Sequence, residues 1–419
     1  MKSWPEPSLP SLPGRGGPVR LFDTVAGEVV DVPVEGVAGL YVCGITPYDA
    51  AHLGHASTYV AFDLLHRAWL DAGHPVRYVQ NVTDVDDPLL ERATATGVRW
   101  QDLAEQQTDV FRDDMAALAV IPPHAFVGVT EVIDEVGELV LRLEAAAAAY
   151  RLDVPDAGDG IGTQDVYFDV AAVDDLGGLS GLDRPTMLAL AAERGGDPDR
   201  PGKRDALDPL LWRGRRTGEP TWPVDGLGEG RPGWHVECVA IALAELGGAF
   251  TVQGGGSDLV FPHHEMGAAH SHALGLRPYA QTYVHTGMVG LDGVKMSKSL
   301  GNLEFVHRLA AGGVPAPVVR LALMQHHYRS DWSWSAAEVD AAAARAARWR
   351  SAVSRDGGPE ATTTLARVRA ALADDLDAPA AIDAVDDWCA RQEAGGEPSE
   401  AGAPGLVSRA LDALLGIRL

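Results

Sequence analysis

The stretch Cys43–His55, CGITPYDAAHLGH, decides how this chain folds. It follows the apolar run Gly39–Leu40–Tyr41–Val42, which reads as a buried strand. It precedes a run whose apolar positions Tyr59, Phe62, Leu65 and Trp69 fall on one helical face. A strand therefore ends at Cys43 and a helix starts near Gly54. At such a junction an α/β sheet receives its ligands, because the free amides of the helix N-terminus point there. His52 and His55, three apart, can face one side of the first helical turn. Two neutral imidazole donors there suit a polyphosphate. HxxH is equally the mark of two surface histidines, and a free cysteine such as Cys43 most often packs as a small buried residue.

At 419 residues the chain is long enough for two or three domains, and 46% hydrophobic residues is ordinary for a globular protein. No apolar stretch is long enough to span a bilayer. The opening MKSWPEPSLPSLPGRGG has no apolar core and reads as an irregular arm rather than a secretory signal. Three cysteines, Cys43, Cys238 and Cys389, make an odd number that argues against a disulfide framework and fits a reducing cytoplasm. The formal net charge of -25 argues against a nucleic-acid partner, since such proteins display basic surface. Alanine runs at 145–149 and 341–347 suggest helix without special chemistry.

Outward from the opening stretch, residues 38–82 form a strand–helix–strand unit. The helix is closed by Gly73 and the second strand is Val76–Val82. Thr83–Pro88 carries three carboxylates beyond that strand. Asp87 reads as a helix cap with Pro88 behind it, and helices are expected over 88–119 and 128–150. Residues 151–230, rich in Gly, Asp and Pro, read as an irregular insertion, and its segment Glu193–Pro198 has no role that chemistry assigns. A second α/β half follows. It holds an apolar helix over 239–246, a strand at 249–253 running into Gly254–Gly255–Gly256–Ser257–Asp258, and a helix opened by Pro262. A strand at 283–289 leads to the loop Asp292–Asn302, whose lysines Lys295 and Lys298 could clamp phosphates or simply be solvated. From about 331 the chain is Ala-rich, acidic and helical; Cys389 there reads as a small packing residue.

Each signal is modest alone, but their joint order is specific. HLGH at 52–55, a glycine-rich loop after a strand, and KMSKSLGN at 295–302 together resemble the class I aminoacyl-tRNA synthetases. The resemblance implies an α/β fold: a Rossmann-like catalytic domain in two halves (38–150 and 231–330), with a connective insertion (151–230), an N-terminal arm and hairpin (1–37) and a C-terminal helical domain (331–419). It also implies a reaction in which a carboxylate attacks the α-phosphate of ATP, with Mg²⁺, to give an adenylate and diphosphate. His52, His55, Lys295 and Lys298 would serve the phosphates, and positioning with electrostatics would do the catalysis.

Cys43, the segment Arg231–Cys238 and Gly254–Leu259 with Phe261–Glu265 resemble the cysteine-specific branch. That likeness implies one zinc ion per chain on Cys43, Cys238 and His263. Where cysteinyl-tRNA synthetases carry a further glutamate ligand, four residues after the histidine, this chain has Gly267. The site is therefore expected to hold three protein ligands plus substrate, or water. A zinc–thiolate bond would select cysteine over serine. The arm Ser3–Trp4–Pro5, Cys43–Asp49, Gln80–Pro88, Glu193–Pro198, Gly287–Val289 and the missing fourth ligand resemble the cysteine ligases of mycothiol biosynthesis most, over nearly the whole chain. These join L-cysteine to the amine of glucosaminyl-inositol. By matching position, the cysteinyl-adenylate would lie against Cys43, Gly44, Ile45, Thr46, Thr58, Asn81, Val82, Thr83, Trp234, Gly256, Ser257, Asp258 and Val289. Asp84 or Asp258 could take the proton of the acceptor amine. A cytoplasmic monomer acting on small molecules, without nucleic acid or membrane, is the expectation. A cysteinyl-tRNA synthetase and a non-catalytic synthetase-like module are the alternatives.

Overall fold

The computed structural model describes residues 1–154, 164–296, 303–396 and 399–419. Its centre is a five-stranded, wholly parallel sheet. In chain order the parts that matter for the site are strand β1 (Ala38–Ile45), helix α1 (Leu53–Ala72), strands β2 (Val76–Val82) and β3 (Ala125–Gly128), helix α2 (Trp234–Leu246), strand β4 (Phe250–Gly256), helix α3 (Glu265–Ala273) and strand β5 (Ala280–Thr286). The spatial order is β5-β4-β1-β2-β3. β1 is covered on both faces, which explains its nearly unbroken apolar run AGLYVCGI. α1 stops where expected: Gly73 takes a left-handed conformation and its amide returns to the Leu70 carbonyl.

Because β1 and β4 are neighbours while their crossovers run opposite ways, the sheet parts at their carboxyl ends. Two glycines keep this crevice narrow. A side chain at Gly44 would collide with the Asn81 carbonyl across the β1–β2 pair. One at Gly254 would enter the Phe62 ring of α1.

Several local expectations give way to tertiary pairing. The helix expected over 88–119 is two helices, Asp87–Thr96 and Trp100–Ala117, parted by left-handed Gly97. The expected helix over 128–150 is only Ile133–Ala145. The alanine run leaves it with Ala147 at positive φ and enters a strand, Ala149–Asp153, because pairing with Gln164–Phe168 outweighs alanine's small helix preference. That strand opens a five-stranded antiparallel sheet completed by Leu210–Gly214, Gly228–Pro232 and Trp222–Val224. The insertion is thus regular rather than irregular. Its strands are short and pair across long gaps, such as Val166 with Trp212, so no local period announces them. The C-terminal part begins with a strand, Trp332–Trp334, parallel to Val289–Leu291, before helices Ala336–Val353, Thr362–Ala373, Ala378–Ala394 and Ala403–Leu415. Cys389, in the third of these helices, is fully buried in the core. Among the described residues no helix is long and apolar enough to cross a membrane.

One ionic knot ties this C-terminal part to α1. Asp63 accepts from Arg67 Nε at 2.6 Å, from the Ile121 amide at 2.7 Å and from Arg320. Arg67 also donates to the carbonyls of Asp412 and Ala413, and Arg320 to those of Leu415 and Leu118. All three side chains are essentially solvent-free. Burial alone would raise the Asp63 carboxyl, but the two guanidiniums outweigh it and hold it below the usual carboxylate range.

Removing one member of such a group strands the others. Asp63→Asn is expected to destabilise the fold by about 3–5 kcal/mol, read by urea denaturation at pH 7. Asp63 has a depressed folded pKa, so its contribution is complete above the ordinary carboxylate pKa of about 4 and fades below it. The gap between parent and variant should therefore shrink as pH falls below that value. A gap that stays constant down to pH 2 would contradict this assignment.

Candidate active site

Three sulfur and nitrogen donors meet at the mouth of the crevice. Cys43 lies near the end of β1, Cys238 in the second turn of α2, and His263 in the irregular segment Val260–His264 between β4 and α3. Their donor atoms all lie within 4.8 Å of one another, and all three residues are buried. His263 gets there through a break. Phe261 is extended and the Phe261–Pro262 peptide is cis, so Pro262 does not open a helix as expected; α3 begins at Glu265. Gly267, on α3, faces Val239 of α2 and offers no donor. Contact with Cys43 and burial push the Cys238 thiol up, so a bare Cys238 thiolate is disfavoured until a cation arrives. Two thiols and one imidazole, dry and converging, fit a borderline-soft ion such as zinc with one position left for a ligand.

A histidine shell surrounds the trio. His264 Nε2 stands 3.1 Å from Cys43 Sγ and 3.1 Å from the Gln253 amide. His264 Nδ1 meets His285 Nε2 at 2.7 Å, and His285 Nδ1 meets the Thr24 hydroxyl at 2.6 Å. His235 Nδ1 lies 3.1 Å from His263 Nδ1, and the Trp234 ring stacks at 4.7 Å from His263. The sequence reading missed Gln253, His264 and His285. The paired His263–His264 was the available signal; His285 sits in a strand with nothing local to mark it.

His52 caps α1: its Nδ1 accepts the Gly54 amide at 3.0 Å, which places the ring proton on Nε2. The His55 ring is 4.0 Å away, and its buried Nδ1 has no hydrogen-bond partner among the described residues. Burial, with some help from His55, lowers His52 to about 3; burial lowers His55 to about 4. Both are neutral donors at pH 7. Asp258, in the turn after β4, is near enough to oppose part of the His52 shift. Lys295 pairs with Gly290 in a short strand, and Lys298 lies outside the described residues.

The other expected contacts gather at the same end of the sheet. Asn81 Oδ1 accepts from the Gly44 amide at 2.8 Å and from the Tyr41 hydroxyl at 3.2 Å. Asn81 Nδ2 donates to Thr83, which donates to buried Glu237 at 3.0 Å. Asn81 and Thr83 thus brace the strand ends, with Ile45 and Val82 buried beside them and Thr46 half-buried. Thr58 bonds Thr286 at the end of β5 at 2.8 Å, joining α1 to the far edge. Gly256 and Ser257 form the turn carrying Asp258, and Val289 is buried just past β5. Both oxygens of buried Asp84 accept from Thr130. Asp86, rather than Asp87, caps the next helix, while Asp87 pairs with Arg231.

Neutral buried histidines have a cost in acid. His52, His55 and nearby His66, lowered by burial to about 4, take up protons in the unfolded chain from about pH 6.5 downward but not in the fold. Stability should therefore fall as pH drops from 6.5 toward 4, by about 1.4 kcal/mol per proton per pH unit. Denaturant melts across that range check it. His52→Gln with His55→Gln should flatten the slope, and an unchanged slope would contradict it.

The family described as tRNA synthetases class I (C) catalytic domain matches residues 30–344. An L-cysteine:1D-myo-inositol 2-amino-2-deoxy-alpha-D-glucopyranoside ligase of Kineococcus radiotolerans is 61% identical, with 100% of each chain covered. Proteins of the same name from Sanguibacter keddieii and Streptomyces coelicolor are 59% and 57% identical, again over 100% of each chain. Among solved structures, Mycobacterium tuberculosis methionyl-tRNA synthetase with methionyl-adenylate superposes at TM-score 0.62, with 18% identity over 91% of this chain and 90% of that one. An Agrobacterium radiobacter LeuRS–tRNA complex superposes at 0.66, with 13% identity over 92% and 84%. At such identities the two superpositions speak for the fold alone, and the fold is that of a class I synthetase catalytic domain with a helical C-terminal part. The chain belongs to the class I (C) tRNA-synthetase family, in the company of these cysteine ligases.

Proposed function

We propose that the protein is an ATP-dependent, AMP-forming ligase that joins L-cysteine to the amine of glucosaminyl-inositol through a cysteinyl-adenylate. The observation that carries this is the buried Cys43–Cys238–His263 trio set against the neutral His52–His55 pair at one crevice. The trio would hold zinc. When bound, zinc supplies a soft cation that takes a substrate thiol as thiolate and discriminates against a hydroxyl.

The chain's own groups do the rest. The α1 terminus and the His52 Nε2 proton face the place where phosphate charge develops, and they need no reorganisation to meet it. The cysteine carboxylate attacks the α-phosphorus, the bond to the β-phosphate breaks, and diphosphate leaves; Lys295 and Lys298 are assigned to its charge. The neutral acceptor amine then attacks the adenylate carbonyl. The amide bond forms, AMP departs with the electron pair, and the amine proton goes to a carboxylate. With Asp84 committed to Thr130, Asp258 is the better placed of the two candidates. The acidic balance, -25 overall, favours a small sugar acceptor in the cytoplasm over a polyanion such as tRNA.

Cysteine-dependent AMP release from ATP, compared with glucosaminyl-inositol and with tRNA as acceptor, tests the reading. Stimulation by the amino-sugar alone is expected; stimulation by tRNA alone would overturn it in favour of a synthetase. Cys238→Ser should lower cysteine-dependent diphosphate exchange by roughly 100-fold or more, with bound zinc lost and far-ultraviolet dichroism retained. Intact exchange in a zinc-free Cys238→Ser preparation would contradict the role given to the trio.

A further inference from the structure

The segment Glu193–Arg194–Gly195–Gly196–Asp197–Pro198 has no task in the mechanism above. In the structure it is the turn that ends the insertion's helix Arg184–Glu193. Arg194 reaches out of the insertion to the segment between β4 and α3, and its Nη1 donates to the carbonyls of both Asp258 and Phe261. Those carbonyls flank the break at extended Phe261, where no regular helical ladder continues. Carbonyls at such a break have no helical partner, and Arg194 supplies one from outside the segment.

The insertion grips the other end of the same segment. Glu265, the buried first residue of α3, accepts the Gly177 amide at 2.8 Å and the Ser180 amide at 2.7 Å. Residues 258–265 are thus held at both ends, and His263 lies between the two grips. The turn bearing Arg194 is itself braced. Gly195 takes positive φ, and the Gly196 amide returns to the Ala191 carbonyl at 2.8 Å. Asp197 accepts the Tyr167 hydroxyl from the insertion's sheet and the nearly buried Lys203 ammonium at 3.1 Å. A continuous run of contacts therefore leads from the insertion's sheet through Asp197 and Arg194 to the backbone carrying Asp258 and His263.

We propose that Arg194 is a positioning residue. From the insertion it sets the backbone that presents Asp258 to the nucleotide and His263 to the metal. This rests on the reading of the crevice as a metal-holding adenylating site. A planar guanidinium can bridge two carbonyls in one fixed geometry, whereas a lysine ammonium holds them as a point charge on a flexible stem.

The test uses the full-length protein, zinc-loaded or cobalt-substituted, as parent, Arg194→Met, Arg194→Lys and Asp197→Asn. Zinc loss to a chromogenic chelator, the visible cobalt bands, and kcat and KM for ATP in cysteine-dependent diphosphate exchange are read together. Arg194→Met should lose zinc roughly 10- to 100-fold faster and show altered cobalt bands at parental dichroism. Its kcat should fall more than its KM for ATP rises. Arg194→Lys should recover part of each change. Asp197→Asn should move the same readouts less, and non-additively with Arg194→Met. Parental zinc loss and cobalt bands in Arg194→Met overturn the proposal. Should that variant not fold, the same parental result in Asp197→Asn overturns it. A parent that holds zinc yet shows no cysteine-dependent exchange would sink the functional reading while leaving the bracket to be scored by its metal readouts.

Discussion

Three donors from positions 43, 238 and 263 must arrive at one dry point, and much of the architecture can be read as the means of bringing them there. None is close to another in sequence. Cys43 needs the end of a central strand, Cys238 a helix packed across that strand, and His263 a chain that abandons regular structure immediately after a neighbouring strand. The reversal of crossover direction between β1 and β4 supplies the meeting place. The clearances at Gly44 and Gly254 keep it tight. A shift of one residue in β1 would turn Cys43 to the opposite face of the sheet.

Burial gives the neighbouring groups their character. The interior lowers the imidazoles at the start of α1 far enough that they stay neutral. Neutral donors at a helix start can bind phosphate oxygens and release them again, where two fixed cations would hold diphosphate too firmly. The same dryness, together with contact with Cys43, disfavours the Cys238 thiolate in the absence of a cation.

The strand–helix junction and the closing Gly73 were legible because each depends on short spacing, an apolar run and a glycine, whereas Cys43 and Cys238 were marked as donors only by resemblance. His263 was legible by resemblance, but the break that aims it was not; Pro262 reads locally as a helix opener, and only packing reveals Phe261 as extended. The insertion looked irregular because its strands are short and find partners tens of residues away. The alanine run around Ala147 misled for the opposite reason, since a clear but small local preference yielded to strand pairing. Arg194 could not be interpreted from sequence, as its partners are backbone carbonyls that carry no side-chain signature.

The knot at Asp63 also bears on how the chain is made. Arg67 sits in α1, the helix that His52 caps, yet two of its acceptors are the carbonyls of Asp412 and Ala413, 345 residues or more downstream. At a synthesis rate of about 5–20 residues per second, roughly 20 to 70 s separate their emergence from the ribosome. Through that interval the Arg67 guanidinium has Asp63 and the Ala119 carbonyl as partners but lacks its C-terminal acceptors. The start of α1 is thus made early, and the carbonyls that complete its packing belong to some of the last residues made.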